Sequence, residues 1–443
     1  VKTTLDLADT QGLVMRGYGK LPYATFLLFT VDEAHPARAA LGHWAEEVTT
    51  AAMGTGASAL NVAVTAAGLR ALGLPGEAVE AFSPAYAEGM TTEHRKRLLG
   101  DLGEADPQRW AWGGPTGAAV HLLLLVYAAT AAELRRRVTA LRRAGGGLSL
   151  ITELRTDQLS GTEPFGFRDG LSQPRIEGLG GTRDRELAVG EFVLGYPNSY
   201  GEYGERPLLA AAEDPRDLLP LDPAGSGRRD FGRGGSYLVL RQLQQDVDGF
   251  WRYMREHSDD ATWLAAKMVG RWPSGAPLAL SPEQDEPGLA ERDFAYHAKD
   301  PDGVACPIGS HVRRANPRDS LEPRPGSAAS LRVNDRHRLL RRARSYTAGA
   351  ERGLYFLCLN GNLARQYEFV QHTWINSPHF DGLHDAPDPV VAPRNDGGPV
   401  FTVQARPVRE RYRSLPSFVR VRGGAYFFLP GAAALRYLAA VPG

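Results

Sequence analysis

Apolar and polar positions along the chain switch between two periods. Residues 23–31 (YATFLLFTV) form an aromatic and aliphatic run that predicts a strand. Asp32 then offers an N-cap to a helix carrying Ala34, Ala37, Leu41 and Trp44. Residues 60–64 predict a second strand, followed by a short helix through Leu69 and Leu72 that Gly73 and Pro75 stop. Residues 84–90 predict a helix, 120–127 (VHLLLLVY) a strand, 130–144 a helix and 148–154 a strand. The order β–α–β…β–α–β is that of a split-βαβ, ferredoxin-like unit. Residues 161–235 are rich in Gly, Pro and charge and predict connecting loops with short strands. Strand, helix, strand, helix then return at 235–241, 244–257, 353–359 and 363–374, with strands at 418–421 and 425–429 and a closing helix over 431–440. The expected class is therefore α+β: two ferredoxin-like units with antiparallel sheets, an N-terminal domain at 1–160 and a larger C-terminal domain at 161–443.

A length of 443 residues favours two cores over one. The 51 basic residues balance the 51 acidic ones, so there is no electrostatic footprint of a nucleic-acid binder. No apolar run reaches the length of a membrane span. The 2 cysteines, Cys306 and Cys358, are too few for a disulfide framework and read as buried thiols. Arg-rich, Ala- and Gly-rich usage suggests a high-GC bacterial source. The expected location is the bacterial cytoplasm, or outside the cell if a leader has been removed from a chain that starts at Val1.

Walker A, HExxH and G-x-S-x-G signatures are all missing, which removes several enzyme classes. Three segments remain. In Gly166-Phe-Arg-Asp169-Gly170-Leu-Ser-Gln-Pro174, glycines flank an aspartate and let backbone approach a bulky ligand. Read alone, it is equally an Asx-turn at a loop corner. In Cys306-Pro-Ile-Gly-Ser-His311-Val-Arg313-Arg-Ala-Asn-Pro-Arg-Asp319, His311 stands beside arginines. A haem needs an axial donor and cations for its propionates, which His311 and Arg313 could supply. A core histidine beside a surface Arg patch explains the same residues. The run Arg336 to Tyr346, which contains Arg341 and Arg342, could hold an anion or simply be an exposed basic loop.

Together these segments resemble the dye-decolorizing peroxidase family. Gly166, Asp169 and Gly170 fit its GxxDG motif, His311–Arg318 (HVRRANPR) resembles its proximal-histidine segment, and Leu340–Tyr346 resembles its distal-arginine segment. Further likeness runs through 9–23, 353–374 and 418–438, so it covers nearly the whole chain and is similar to the larger bacterial and fungal subgroups. Ala343 and Thr347 depart from glycines frequent in the family. The resemblance implies haem b in the C-terminal unit, His311 as iron ligand, and Asp169 as catalytic acid/base. It implies Arg341 as distal arginine, with Arg342 the alternative, and Leu354 and Phe356 lining the distal pocket from one strand face. The implied activity uses hydrogen peroxide, at acidic pH, to oxidise organic donors such as dyes and phenolics in one-electron steps through a ferryl intermediate. Tyr346 and Trp374 are the candidates for relaying electrons from donors too large to enter. A haem-binding or haem-transfer protein and a dedicated biosynthetic haem oxidase remain as alternatives, and homo-oligomerisation stays open.

Overall fold

Each apolar run finds its place in one antiparallel sheet. The computed structural model describes residues 4–179, 186–393 and 400–441. In the first half, β1 (Tyr23–Val31), β2 (Ser58–Val64), β3 (Leu122–Ala128) and β4 (Leu148–Arg155) pair in the order β4-β1-β3-β2. Every residue of β3 is buried, which explains its unbroken apolar run, whereas edge strand β4 is mostly half-exposed. The connecting helices are α1 (Ala34–Glu47) and α2 (Ala131–Ala144). Thr130 caps α2 by accepting from the Glu133 N–H at 3.1 Å. The cap expected at Asp32 is absent: its carboxylate accepts instead from the Ser149 hydroxyl at 2.6 Å, and α1 starts after Glu33.

The second half repeats the plan with longer insertions. Its sheet strands are β5 (Ser236–Gln245), β6 (Leu340–Arg341), β7 (Arg344–Ala348), β8 (Glu351–Asn360) and β9 (Val419–Leu429). They run β9-β5-β8-β6, with β7 also on β8. With β7, which lies off the main path, left out of the count, both orders are fourth, first, third, second. Helix α3 (Val247–His257) begins later than the expected 244, because β5 continues to Gln245 and Asp246 caps the helix, accepting from Gly249 N–H at 2.9 Å. The expected helix over 363–374 is two short, wide-wound segments, Ala364–Glu368 and Val370–Ile375. The two strands expected over 418–429 are one strand with a bulge between Val421 and Gly423. The Trp112 ring lies where a Cβ at Gly423 would stand, 2.5 Å away, so only glycine fits. Helices α4 (His311–Ala315) and α5 (Ala432–Ala440) complete the elements used below.

The expectation of one core per half is corrected by a single register. Phe428 of β9 pairs with Val64 of β2 and makes the two sheets continuous. The hydrophobic layers then divide by sheet face, not by half. One buried cluster joins Leu60 and Val126 to Val239 and Tyr426. The other joins Phe26 and Leu125 to Leu240 and Phe427. Cys306 and Cys358 are buried, free thiols. Among the described residues no helix is long and apolar enough to cross a membrane.

Candidate active site

The Asp169 loop is built by alternation. Phe165 and Phe167 are buried against Phe250, while Arg168 and Asp169 turn outward. Gly166 and Gly170 have φ of 98° and 79°, a region costly for other residues, so the loop can reverse on both sides of Asp169. Asp169 is exposed, and its Oδ1 accepts from the Gly170 N–H at 2.6 Å.

Strand parity separates the two candidate arginines. Arg341 pairs with Cys358 on β8, so its side chain shares a face with Phe356 and Leu354. Both are half-buried, in contrast to fully enclosed Leu357 on the opposite face, and leave an apolar wall beside Arg341. The Arg341 guanidinium donates to the Leu171 carbonyl at 2.6 Å, and its N–H donates to Gln173 Oε1 at 3.0 Å. Arg342 points the other way and donates to the Leu13 and Val14 carbonyls, each at 2.8 Å. Burial pushes Arg342 down to about 10. Asp169 and Arg341 line one cavity of about 300 Å³, together with Asp157, Gln173, Gly17 and Gly19.

His311 opens α4, and its Nδ1 lies 2.9 Å from Oδ2 of fully buried Asp388. The other Asp388 oxygen accepts from the Val390 and Val391 N–H groups, both at 2.9 Å. Burial opposes ionisation of Asp388, but the His311 ring, the Arg314 guanidinium and the Val391 N–H together hold it below the usual carboxylate range. The ring is 31% exposed, and its Nε2 has no protein partner among the described residues. An imidazole fixed through Nδ1 by a carboxylate, with Nε2 open, is the form a metal takes. Val390 packs with Phe165 and Phe167 of the Asp169 loop, and Val391 packs in the cluster that holds Leu339, two residues before Arg341. These packing clusters link the three motif segments, while His311 is not among the residues that line the cavity of Asp169 and Arg341.

Arg313 does not join them. It is fully buried, donates to the Asp300 and Cys306 carbonyls at 3.0 and 2.9 Å, and lies 4.5 Å from the centre of the Tyr296 ring. Its expected role toward the cofactor is corrected to an internal clamp. Cations gather elsewhere. Arg271 and Arg318 donate to Ser172 Oγ at 2.9 and 3.2 Å, and Arg338 to the Ser172 carbonyl at 2.6 Å, next to the Arg341 contact on Leu171. Burial first, then the Arg318 and Arg341 charges, bring Arg271 down to about 10. Asp388 and Arg271 were not singled out from sequence, and neither carries a local signal. Tyr346 and Trp374, the expected relay residues, are buried at 0% and 5% exposure, so neither offers a surface end to a relay.

No family model matches the chain. A dye-decolorizing peroxidase of Mycena epipterygia is 30% identical over 86% of this chain and 76% of its own length. The multifunctional dye peroxidase DyP2 of an Amycolatopsis strain is 29% identical over 97% of this chain and 92% of its own. The solved structure of a fungal DyP-type peroxidase from Auricularia auricula-judae superposes with a TM-score of 0.80 over 99% of this chain and 100% of that one, at 24% identity, which shows the fold. The chain belongs to the dye-decolorizing peroxidase family of haem peroxidases.

Proposed function

We propose that this peroxidase holds haem b between His311 and the Asp169–Arg341 pair, and that it oxidises phenolic and dye-like donors with hydrogen peroxide. The observation that carries the reading is that Asp169 and Arg341 line one cavity. The residues fit the cofactor: His311 Nε2 is an open nitrogen donor, and the guanidiniums around Ser172 complement propionate carboxylates. Leu354 and Phe356 supply apolar surface for a flat ring. The division into 1–160 and a haem-binding 161–443 is supported by the repeated strand order.

When bound, the haem supplies the iron at which peroxide is reduced and from which two donor molecules are each oxidised by one electron. The chain's own residues manage protons and charge. Asp169 as carboxylate takes the proton from one peroxide oxygen and returns it to the other, which leaves as water. The Arg341 guanidinium stabilises the negative charge that builds on peroxide as its proton leaves. Asp388 holds the Nδ1 proton of His311, so Nε2 keeps its lone pair for the metal. Leu354 and Phe356 limit the space beside Arg341 and exclude water.

The test is the rate at which the Soret band changes on mixing with hydrogen peroxide. Asp169→Ala and Arg341→Leu should each slow it by at least about 100-fold, the lower bound for a positioned general base, while haem content stays at the wild-type level. Full haem content with an unchanged rate removes either residue from the role given to it.

A further inference from the structure

Glu163 has no part in the mechanism above, yet its carboxylate is held by three N–H donors. Oε2 accepts from the Phe165 N–H at 3.0 Å and from Gln245 Nε2 at 2.7 Å, and Oε1 accepts from the Phe167 N–H at 3.0 Å. Main-chain bonds close the same turn: Glu163 N–H donates to Phe167 O at 2.9 Å, and Gly166 N–H to Glu163 O at 2.8 Å. Asp169 follows two residues later. Gln245 is the last residue of β5, and its buried Oε1 has no partner among the described residues, so Glu163 is what orients its amide. On the same strand, Leu243 pairs with Leu354 of the apolar wall. One carboxylate thus staples the Asp169 turn to the sheet that carries Arg341, Leu354 and Phe356.

We propose that Glu163 is a positioning residue for Asp169, closing the 163–167 turn and tying it to β5 so that the Asp169 carboxylate is held in place against Arg341. The proposal rests on Asp169 being the proton-transferring group. Geometry to within an ångström matters there, because proton transfer needs hydrogen-bond reach. Charge adds a second link. Burial raises the Glu163 carboxyl against the pull of its three donors, and the Asp169 charge raises it further. The wall of the cavity that Asp169 lines also holds Arg341, Asp157, Arg342 and Arg344, the last two with guanidiniums turned to carbonyls of residues 13–21, and Arg168 beside Asp169 pairs with Glu291 at 2.5 Å.

The experiment is a double-mutant cycle on the haem-loaded protein. The peroxide step is followed across pH in wild type, Glu163→Gln, Asp169→Ala and the double variant, with amide exchange over residues 165–170 as the second readout. Glu163→Gln keeps the shape but loses the charge and one acceptor. It should slow the step by about ten- to a hundredfold, the cost of a small misplacement. Exchange should rise within 165–170 alone. In the Asp169→Ala background it should add nothing. Gln245→Met, which cuts the tie and leaves the turn, should act in the same direction only when Asp169 is present. Slowing of the Asp169→Ala variant by the same factor as wild type overturns the proposal, as does an unchanged rate in Glu163→Gln. An Asp169→Ala variant that reacts at the wild-type rate instead refutes the role of Asp169 itself, a result the cycle reads separately.

Discussion

At the scale of single residues, the least visible member of the site is Asp388. It lies 77 positions from His311, in an Asp-Ala-Pro-Asp-Pro stretch that reads only as a turn. Asp169, His311 and Arg341 were legible because each sits in a short contiguous motif. Asp388 acts across the fold, where no spacing rule reaches. Its substitution is informative. Asp388→Asn weakens the acceptor for the His311 Nδ1 proton and should cost about ten- to a hundredfold in haem affinity, as partners of metal-bound histidines do. Haem held as tightly as in wild type would show that the contact does not support the ligand. The pH behaviour has a definite sign. The folded carboxyl is held below its unfolded value of about 3.9, so its stabilising contribution is complete above that pH and is lost as pH falls through the lower folded value. Stability attributable to this carboxylate should therefore stay level from neutral pH to about 4, and chemical unfolding across that window checks it.

Elements decide which neighbours of a motif residue can reach the site. Arg313 looked eligible because it stands two positions after His311. On a helix with 3.6 residues per turn, two positions are roughly 200° of rotation, so a ring facing the cofactor sends that arginine into the core. Parity does the same on a strand: Arg341 and Arg342 are adjacent in sequence and on opposite faces in β6 and just beyond it. Sequence narrowed the proposed distal arginine to two residues, and the register Arg341 opposite Cys358 puts one of them on the face of Leu354 and Phe356. If Arg313 is an internal clamp, Arg313→Leu removes the guanidinium that lies 3.2 Å from the buried Asp300 carboxylate, leaves that charge without its counter-ion and should cost about 3–5 kcal/mol of stability. Chemical unfolding of the haem-loaded protein checks this. Weaker haem binding with unchanged stability would return Arg313 to the cofactor.

For the molecule as a whole, the alternation of periods was enough to read α+β and both β–α–β…β–α–β runs. It could not show that the two sheets are one, because the joining pair, Val64 with Phe428, involves strands distant in the chain. With both hydrophobic layers shared between halves, the protein should unfold in a single calorimetric transition whose van't Hoff and calorimetric enthalpies agree. Phe428→Ala, at a fully buried position on that seam, should destabilise it by about 3–5 kcal/mol without splitting the transition. Two separate transitions would mean that the halves fold independently. The central claim, that this fold holds a haem through His311 and reacts it with peroxide, is tested most directly by one absorption spectrum. The purified ferric protein is recorded beside His311→Ala, before and after one equivalent of hydrogen peroxide. The account requires a Soret band that is lost in His311→Ala and changes rapidly on peroxide addition in the wild type. A band that persists in the variant, or one that peroxide leaves unmoved, would contradict it.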